Sequence, residues 1–175
     1  MIKHNTWKIA TINVKCINNT SKFDDLIEWI MNNNIDITIV TETKINQVNA
    51  SFKIKKYQKS YDSFWDLDED APRGSGVSVI LRKDTVRKYI YAQHLHLERF
   101  INIRLKFKSK KDISILAIYG NADFSDKVTK EKITKLIRQH IYTLPGKLNI
   151  VGGNFNEDSQ HHANMQIIDL LSCTP

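Results

Sequence analysis

A chain of 175 residues has room for one domain with a substantial buried core, and no linker or low-complexity tract divides it. With 41% hydrophobic and 26% charged residues it has a globular composition, and no apolar run nears the roughly 18 residues that a membrane span needs. The net charge of +7 favours polyanionic partners, although a composition rich in Asn, Lys and Ile would also follow from an AT-rich coding sequence.

The first strand is predicted over residues 7–13, with Ile9 and Ile12 among its apolar residues. Phe23, Leu26, Ile27 and Ile30 then recur at helical spacing behind Asn19, Thr20 and Ser21, each able to cap a helix start. Asn32, Asn33 and Asn34 end that helix. Residues 35–40 are β-branched everywhere except Asp36, the composition of a largely buried strand. A strand–helix–strand opening of this kind predicts an α/β layered domain. Asp66, Asp68, Glu69 and Asp70 read as an acidic, solvated loop without the pattern of a calcium-binding loop.

The middle of the chain is strand-rich, with strands predicted over 77–81, 86–92, 100–107 and 113–119. Ile101, Ile103, Leu105 and Phe107 alternate with Asn102, Arg104, Lys106 and Lys108, giving one core face and one basic face. Residues 109–112 supply a hairpin turn. A helix with Ile133, Leu136, Ile137, Ile141 and Leu144 on its inner stripe runs up to Pro145-Gly146. The strand from Leu148 to Gly152-Gly153 follows, and a last helix is predicted over 165–171. Cys16 and Cys173 lie far apart and read as free thiols of a reducing compartment. With no secretory signal or membrane span, the location expected is intracellular. The histidines at 94, 96, 140, 161 and 162 show no metal spacing.

Chemistry-bearing residues fall at the strand ends: Asn13, then Glu42, then Tyr119 with Asn121, then Asn154 with Asn156. If the strands run in compatible directions, these ends meet at one rim, where open α/β sheets bind ligands. A hard cation such as Mg²⁺ takes oxygen ligands, commonly one or two carboxylates plus phosphate oxygens. Glu42 suits the carboxylate role, Asn13 and Asn156 offer amide groups, and the Tyr119 hydroxyl could donate to a phosphate oxygen. Each residue also has a plain reading. Glu42 could be a solvated loop residue, Tyr119 a core ring, and the asparagines turn residues bonding their own backbone.

In chain order, Asn13, Thr41-Glu42-Thr43, Arg73-Gly74-Ser75-Gly76-Val77, Ile118-Tyr119 and Gly152-Gly153-Asn154-Phe155-Asn156 resemble the endonuclease/exonuclease/phosphatase superfamily. They look most like the apurinic-type endonuclease domain of non-LTR, LINE-like retrotransposons. The resemblance implies a two-sheet β-sandwich flanked by helices, of deoxyribonuclease I-like architecture, that hydrolyses phosphodiesters with Mg²⁺ or Mn²⁺. It assigns Glu42 to the metal with Asn13 beside it, Tyr119 to the phosphate, Asn154 to the position of the catalytic aspartate and Asn156 to that of the motif's asparagine. DNA is the implied partner, met by Arg73, Arg104, Lys106 and Lys108, with no membrane involved.

Three departures from that pattern shape the expectation. Asn154 stands where the family carries the aspartate that orients or deprotonates water, and an amide cannot accept a proton at neutral pH. The sequence holds no closing Ser-Asp-His segment, so a single domain lacking its C-terminal strands is expected, with self-association through an exposed sheet edge. The proline often found two residues after the family's tyrosine is absent, since Asn121 stands there. The expectation is an impaired phosphodiester hydrolase. The alternatives are a non-catalytic remnant that at most binds nucleic acid, through the basic strand face and Lys53, Lys55, Lys56 and Lys59, or a phosphatase of phosphoinositides or other phosphate esters.

Overall fold

The computed structural model describes residues 7–67, 76–84, 90–94, 99–106, 112–120 and 148–155, together with several helical positions between 128 and 139. Strand β2 (Ile37–Thr41) is buried at every position, as its β-branched sequence requires of a strand covered on both faces. It pairs in parallel with β1 (Ile9–Asn13) and antiparallel with β4 (Val77–Arg82). Strand β3 (Tyr61–Asp66) completes a sheet of order β1-β2-β4-β3. The second sheet runs β5-β6-β7-β8, from β5 (Ile90–His94), β6 (Phe100–Lys106), β7 (Asp112–Tyr119) and β8 (Leu148–Asn154). Its first three strands are antiparallel, and β8 joins β7 in parallel.

The two sheets face each other across a core of Ile37, Ile39, Val77, Val79, Leu81, Ile101, Ile103, Leu105, Ile115 and Ala117. Alternation explains the choice, because residues two apart on a strand point to one face. Strands β1 and β2 lie against β8. The outer face of the first sheet is covered by α1 (Thr20–Asn32), which buries the helical stripe Phe23, Leu26, Ile27 and Ile30. Its N-cap is Asn19, whose side-chain oxygen accepts from the Ser21 amide at 2.9 Å. On the outer face of the second sheet, Ile137 packs with Phe100, Leu116 and Ile118. Among the described residues no helix is long and apolar enough to cross a membrane.

The two-sheet α/β architecture expected from the sequence is the one observed. Predicted strands begin or end within a few residues of the observed ones. Val128, Glu131, Thr134, Lys135 and residues 137–139 are helical, in agreement with the second predicted helix. The rest of its stripe, Pro145-Gly146, residues 109–111 of the hairpin turn and the final helix lie outside the described residues, as does Cys173, while Asp112, expected in the turn, opens β7.

Two elements escaped the sequence reading. Helix α2 (Gln47–Lys55) exposes Val48 and Phe52 and buries Ala50 and Lys53, so it lacks a clear apolar stripe. Its start is fixed locally, since the Asn46 side chain accepts from the Asn49 amide at 2.8 Å. The other is β3, whose last residue, Asp66, departs from the solvated-loop reading. The Asp66 carboxylate accepts the Phe100 backbone amide at 3.1 Å and so ties one sheet to the other. Asp68, Glu69 and Asp70 are outside the described residues.

The face of β6 expected to be basic is also different. Phe100 and Asn102 are buried there, Arg104 is only partly exposed, and Ser114 Oγ donates to Asn102 Oδ1 at 2.9 Å. The second sheet is covered on both faces, so alternation here separates apolar from polar burial and not core from solvent.

Candidate functional site

Registers place the strand ends at one rim. Asn13 lies opposite Thr41 on β2, Thr41 opposite Val77 on β4, and Val77 opposite Asp66 on β3. In the other sheet Phe100 lies opposite Ile118, Ile118 opposite Gly153, and Tyr119 opposite Asn154. The Asp66–Phe100 hydrogen bond joins these two levels, so the C-terminal ends of β1, β2, β7 and β8 share one edge of the sandwich. The condition that the sequence left open, compatible strand directions, is met.

On the first sheet, Asn13 Nδ2 donates to Glu42 Oε1 at 2.6 Å, and Asn13 Oδ1 accepts the Lys15 amide at 3.0 Å. Both ends of this amide are therefore engaged. Asn13 holds the carboxylate in place and does not turn its own oxygen beside it. The other carboxylate oxygen, Oε2, faces the Lys44 ammonium at 3.8 Å. The backbone around this pair is strained. Lys15, Cys16, Glu42 and Lys44 have φ of 49°, 107°, 56° and 48°. Non-glycine residues rarely adopt this left-handed region, at a cost of order 1–3 kcal/mol each, and such strain gathers at functional sites. It is held here by bonds that zip the two loops together: Val14 N to Thr41 O at 3.1 Å, Cys16 N to Glu42 O at 2.8 Å and Ile17 N to Thr43 O at 2.9 Å.

The second sheet builds its half of the rim with glycine. Gly153 has φ of +143°, and a Cβ on it would meet the Ile118 backbone. Gly152 faces the first sheet, where a Cβ would come 2.6 Å from Ile39 Cδ1 and 3.1 Å from Thr11 Oγ1. The paired glycines thus let β8 lie close to both β7 and the opposing sheet. Beyond them, the Asn154 carbonyl accepts the Gly120 amide at 2.6 Å. Tyr119 is 5% exposed and packs into the core between the sheets. Arg99 lies over its ring, 5.1 Å from the centroid, and donates from Nη1 to the Gly120 carbonyl at 3.2 Å.

Sequence reasoning missed Lys44, which faces Glu42, and Arg99, which lies over Tyr119. The only signal for either was adjacency, Lys44 two residues after Glu42 and Arg99 just before a strand start. Arg73, Asn121, Asn156 and Lys108 lie outside the described residues, as does the side chain of Lys106. Among the described residues no cluster of three or more His, Cys, Asp or Glu side chains is set to hold a metal. The donor set still fits Mg²⁺, which keeps several waters and often takes one or two carboxylates plus phosphate oxygens. Glu42 is the carboxylate available, with 19% of its side chain exposed.

Two facing sheets with helices outside form a deoxyribonuclease I-like fold, and an amide-held glutamate and a tyrosine–asparagine pair lie at one rim of it. Solved structures match this fold, whereas no family model and no curated protein matches the sequence. TDP2 from D. rerio, complexed with a single-stranded DNA product, is similar at a TM-score of 0.65 and 15% identity, over 94% of this chain and 64% of that one. The endonuclease domain of TRAS1, a telomere-specific non-LTR retrotransposon, is similar at a TM-score of 0.64 and 11% identity, over 95% of this chain and 70% of that domain. An AP endonuclease from Archaeoglobus fulgidus has a TM-score of 0.61 and 16% identity, over 94% and 71%. The chain thus spans just under two thirds of the length of the TDP2 structure.

Proposed function

We propose that this chain is a divalent-metal phosphodiester hydrolase of the nuclease type, directed to DNA, with its rate depressed by Asn154. The observation that carries the reading is the Glu42 carboxylate, fixed by Asn13 at 2.6 Å on the same rim as the Tyr119–Asn154 register pair. The similar solved structures include DNA-processing enzymes and a DNA complex, which supports the choice of substrate.

In this reading Glu42 binds the cation, and Asn13 keeps the carboxylate aimed at it. When bound, Mg²⁺ supplies charge stabilisation on the phosphoryl oxygens and a more acidic water. Tyr119 donates its hydroxyl to a non-bridging phosphate oxygen. The Arg99 guanidinium, stacked on that ring, adds positive charge to the anion-facing side. Asn156 supplies a further amide to the phosphate. Asn154 positions water by hydrogen bonding but cannot take its proton, and loss of a placed general base costs on the order of 10²–10⁴ in rate.

Asn154 also favours a second reading, in which the chain binds nucleic acid without cutting it. Nicking of supercoiled plasmid in Mg²⁺ separates the two. The chain should nick slowly, Asn154→Asp should nick on the order of 10²–10⁴ faster, and EDTA or an added Glu42→Gln should abolish the gain. Absence of nicking in Asn154→Asp would leave binding alone.

A further inference from the structure

We propose that the outward face of α2 is a second nucleic-acid contact, a strip that takes a single strand of DNA by stacking a base on Phe52 and holding phosphates on the flanking lysines. This rests on the nucleic-acid reading of the rim but concerns residues outside it. Val48 and Phe52 are 77% and 74% exposed, and they stand one helical turn apart on one face of α2. Together with Thr20, Asp24, Lys53, Lys55 and Lys56, Phe52 lines an open groove of about 390 Å³.

The charge of the groove favours a polyanion. Its one carboxylate, Asp24, is engaged by the Tyr57 hydroxyl at 2.6 Å and the Lys56 ammonium at 3.2 Å. Lys53 is nearly buried and donates to Thr20 Oγ1 at 2.8 Å, which closes the floor. Lys55 stands exposed, and no described carboxylate forms an ion pair with it. A flat exposed ring between ammonium groups matches the alternation of base and phosphate along a single strand, where bases are free to stack. Two exposed apolar side chains are too few to insert into a lipid surface, and an acidic peptide would leave the ring without a planar partner.

The chain also links the two helices to the rim loops. Helix α1 follows the loop that leaves Asn13, and α2 follows the loop that carries Glu42 and Lys44. Asn49 Nδ2 donates to Asn18 Oδ1 at 3.2 Å, tying the two helix starts together.

Fluorescence anisotropy with a labelled oligothymidylate of about twelve nucleotides, within the span of common single-strand sites, tests this on the intact chain in EDTA. Phe52→Ala should weaken binding roughly five- to hundredfold, the range of base–aromatic stacking, and Phe52→Trp should restore it. Lys55→Ala should lower the slope of log affinity against log salt by about 0.7. All these side chains are exposed, so thermal melting should stay at the parent value. Equal affinity of the parent and Phe52→Ala overturns the proposal. So does an affinity change seen with a polyglutamate probe and not with the oligonucleotide, which would make the partner an acidic protein. Because cleavage plays no part in the assay, an inactive rim leaves this result readable by itself.

Discussion

The two halves of the rim are built by opposite means. On the first sheet, strained non-glycine residues hold an amide against a carboxylate, and backbone bonds between the β1 and β2 loops offset the strain. On the second, two glycines remove side chains so that β8 can approach β7 and the facing sheet. In the proposed function the first half would hold the cation through Glu42. The second brings Tyr119 and Asn154 together, and in the proposed function Asn154 puts an amide where a proton acceptor would act. Position and chemistry are therefore separable in this molecule, and each half can be broken without the other.

The largest effect expected is the rate gain on Asn154→Asp described above, which alters chemistry and leaves position alone. Next is Gly153→Ala, which alters position alone. The left-handed φ and the collision with the Ile118 backbone should destabilise the fold by about 2–4 kcal/mol, the combined scale of backbone strain and overpacking. Chemical denaturation measures this, and a loss under about 0.5 kcal/mol would show that β8 can shift freely. A smaller effect is expected for Asn13→Ala, which leaves Glu42 Oε1 and the Lys15 amide to solvent. A loss of about 0.5–1.5 kcal/mol follows from the ordinary net worth of a hydrogen bond, together with weaker Mg²⁺ binding by titration calorimetry.

The smallest effect concerns pH. The Tyr57 hydrogen bond, and then that of Lys56, hold the Asp24 carboxyl below the usual carboxylate value. A depressed folded-state value makes the contribution present above the unfolded-state value and lost as pH falls through the folded one. Asp24→Asn should therefore melt slightly lower than the parent at neutral pH and equally at strongly acid pH. Because the group is exposed, the difference should be small. A difference that grows toward acid would reverse the assignment.

Much of the architecture was legible because it rests on periodicity. The Phe23–Ile30 stripe, the β-branched run into Thr41 and the alternation along β6 are local patterns that burial enforces. Helix α2 was not legible, because its exposed Phe52 and buried Lys53 invert the usual pattern. The polar face of β6 misled for a related reason: alternation shows which residues share a face, not what covers it. The site was legible as residue types at strand ends, and the registers brought Asn13, Tyr119 and Asn154 to one edge, with Glu42 just beyond the end of β2. That Asn13 orients Glu42, and that Lys44 and Arg99 stand beside the two halves, depends on left-handed loop turns and ring stacking that no local pattern announces.

The most direct test of the divided rim is the pH dependence of single-turnover plasmid nicking in saturating Mg²⁺, comparing the chain with Asn154→Asp. The account predicts a faster variant whose log rate rises with about unit slope through the titration of the introduced carboxylate and then levels, a limb that the Asn154 chain lacks. Equal rates with the same pH profile in both proteins would contradict it, since proton abstraction would then not depend on this position.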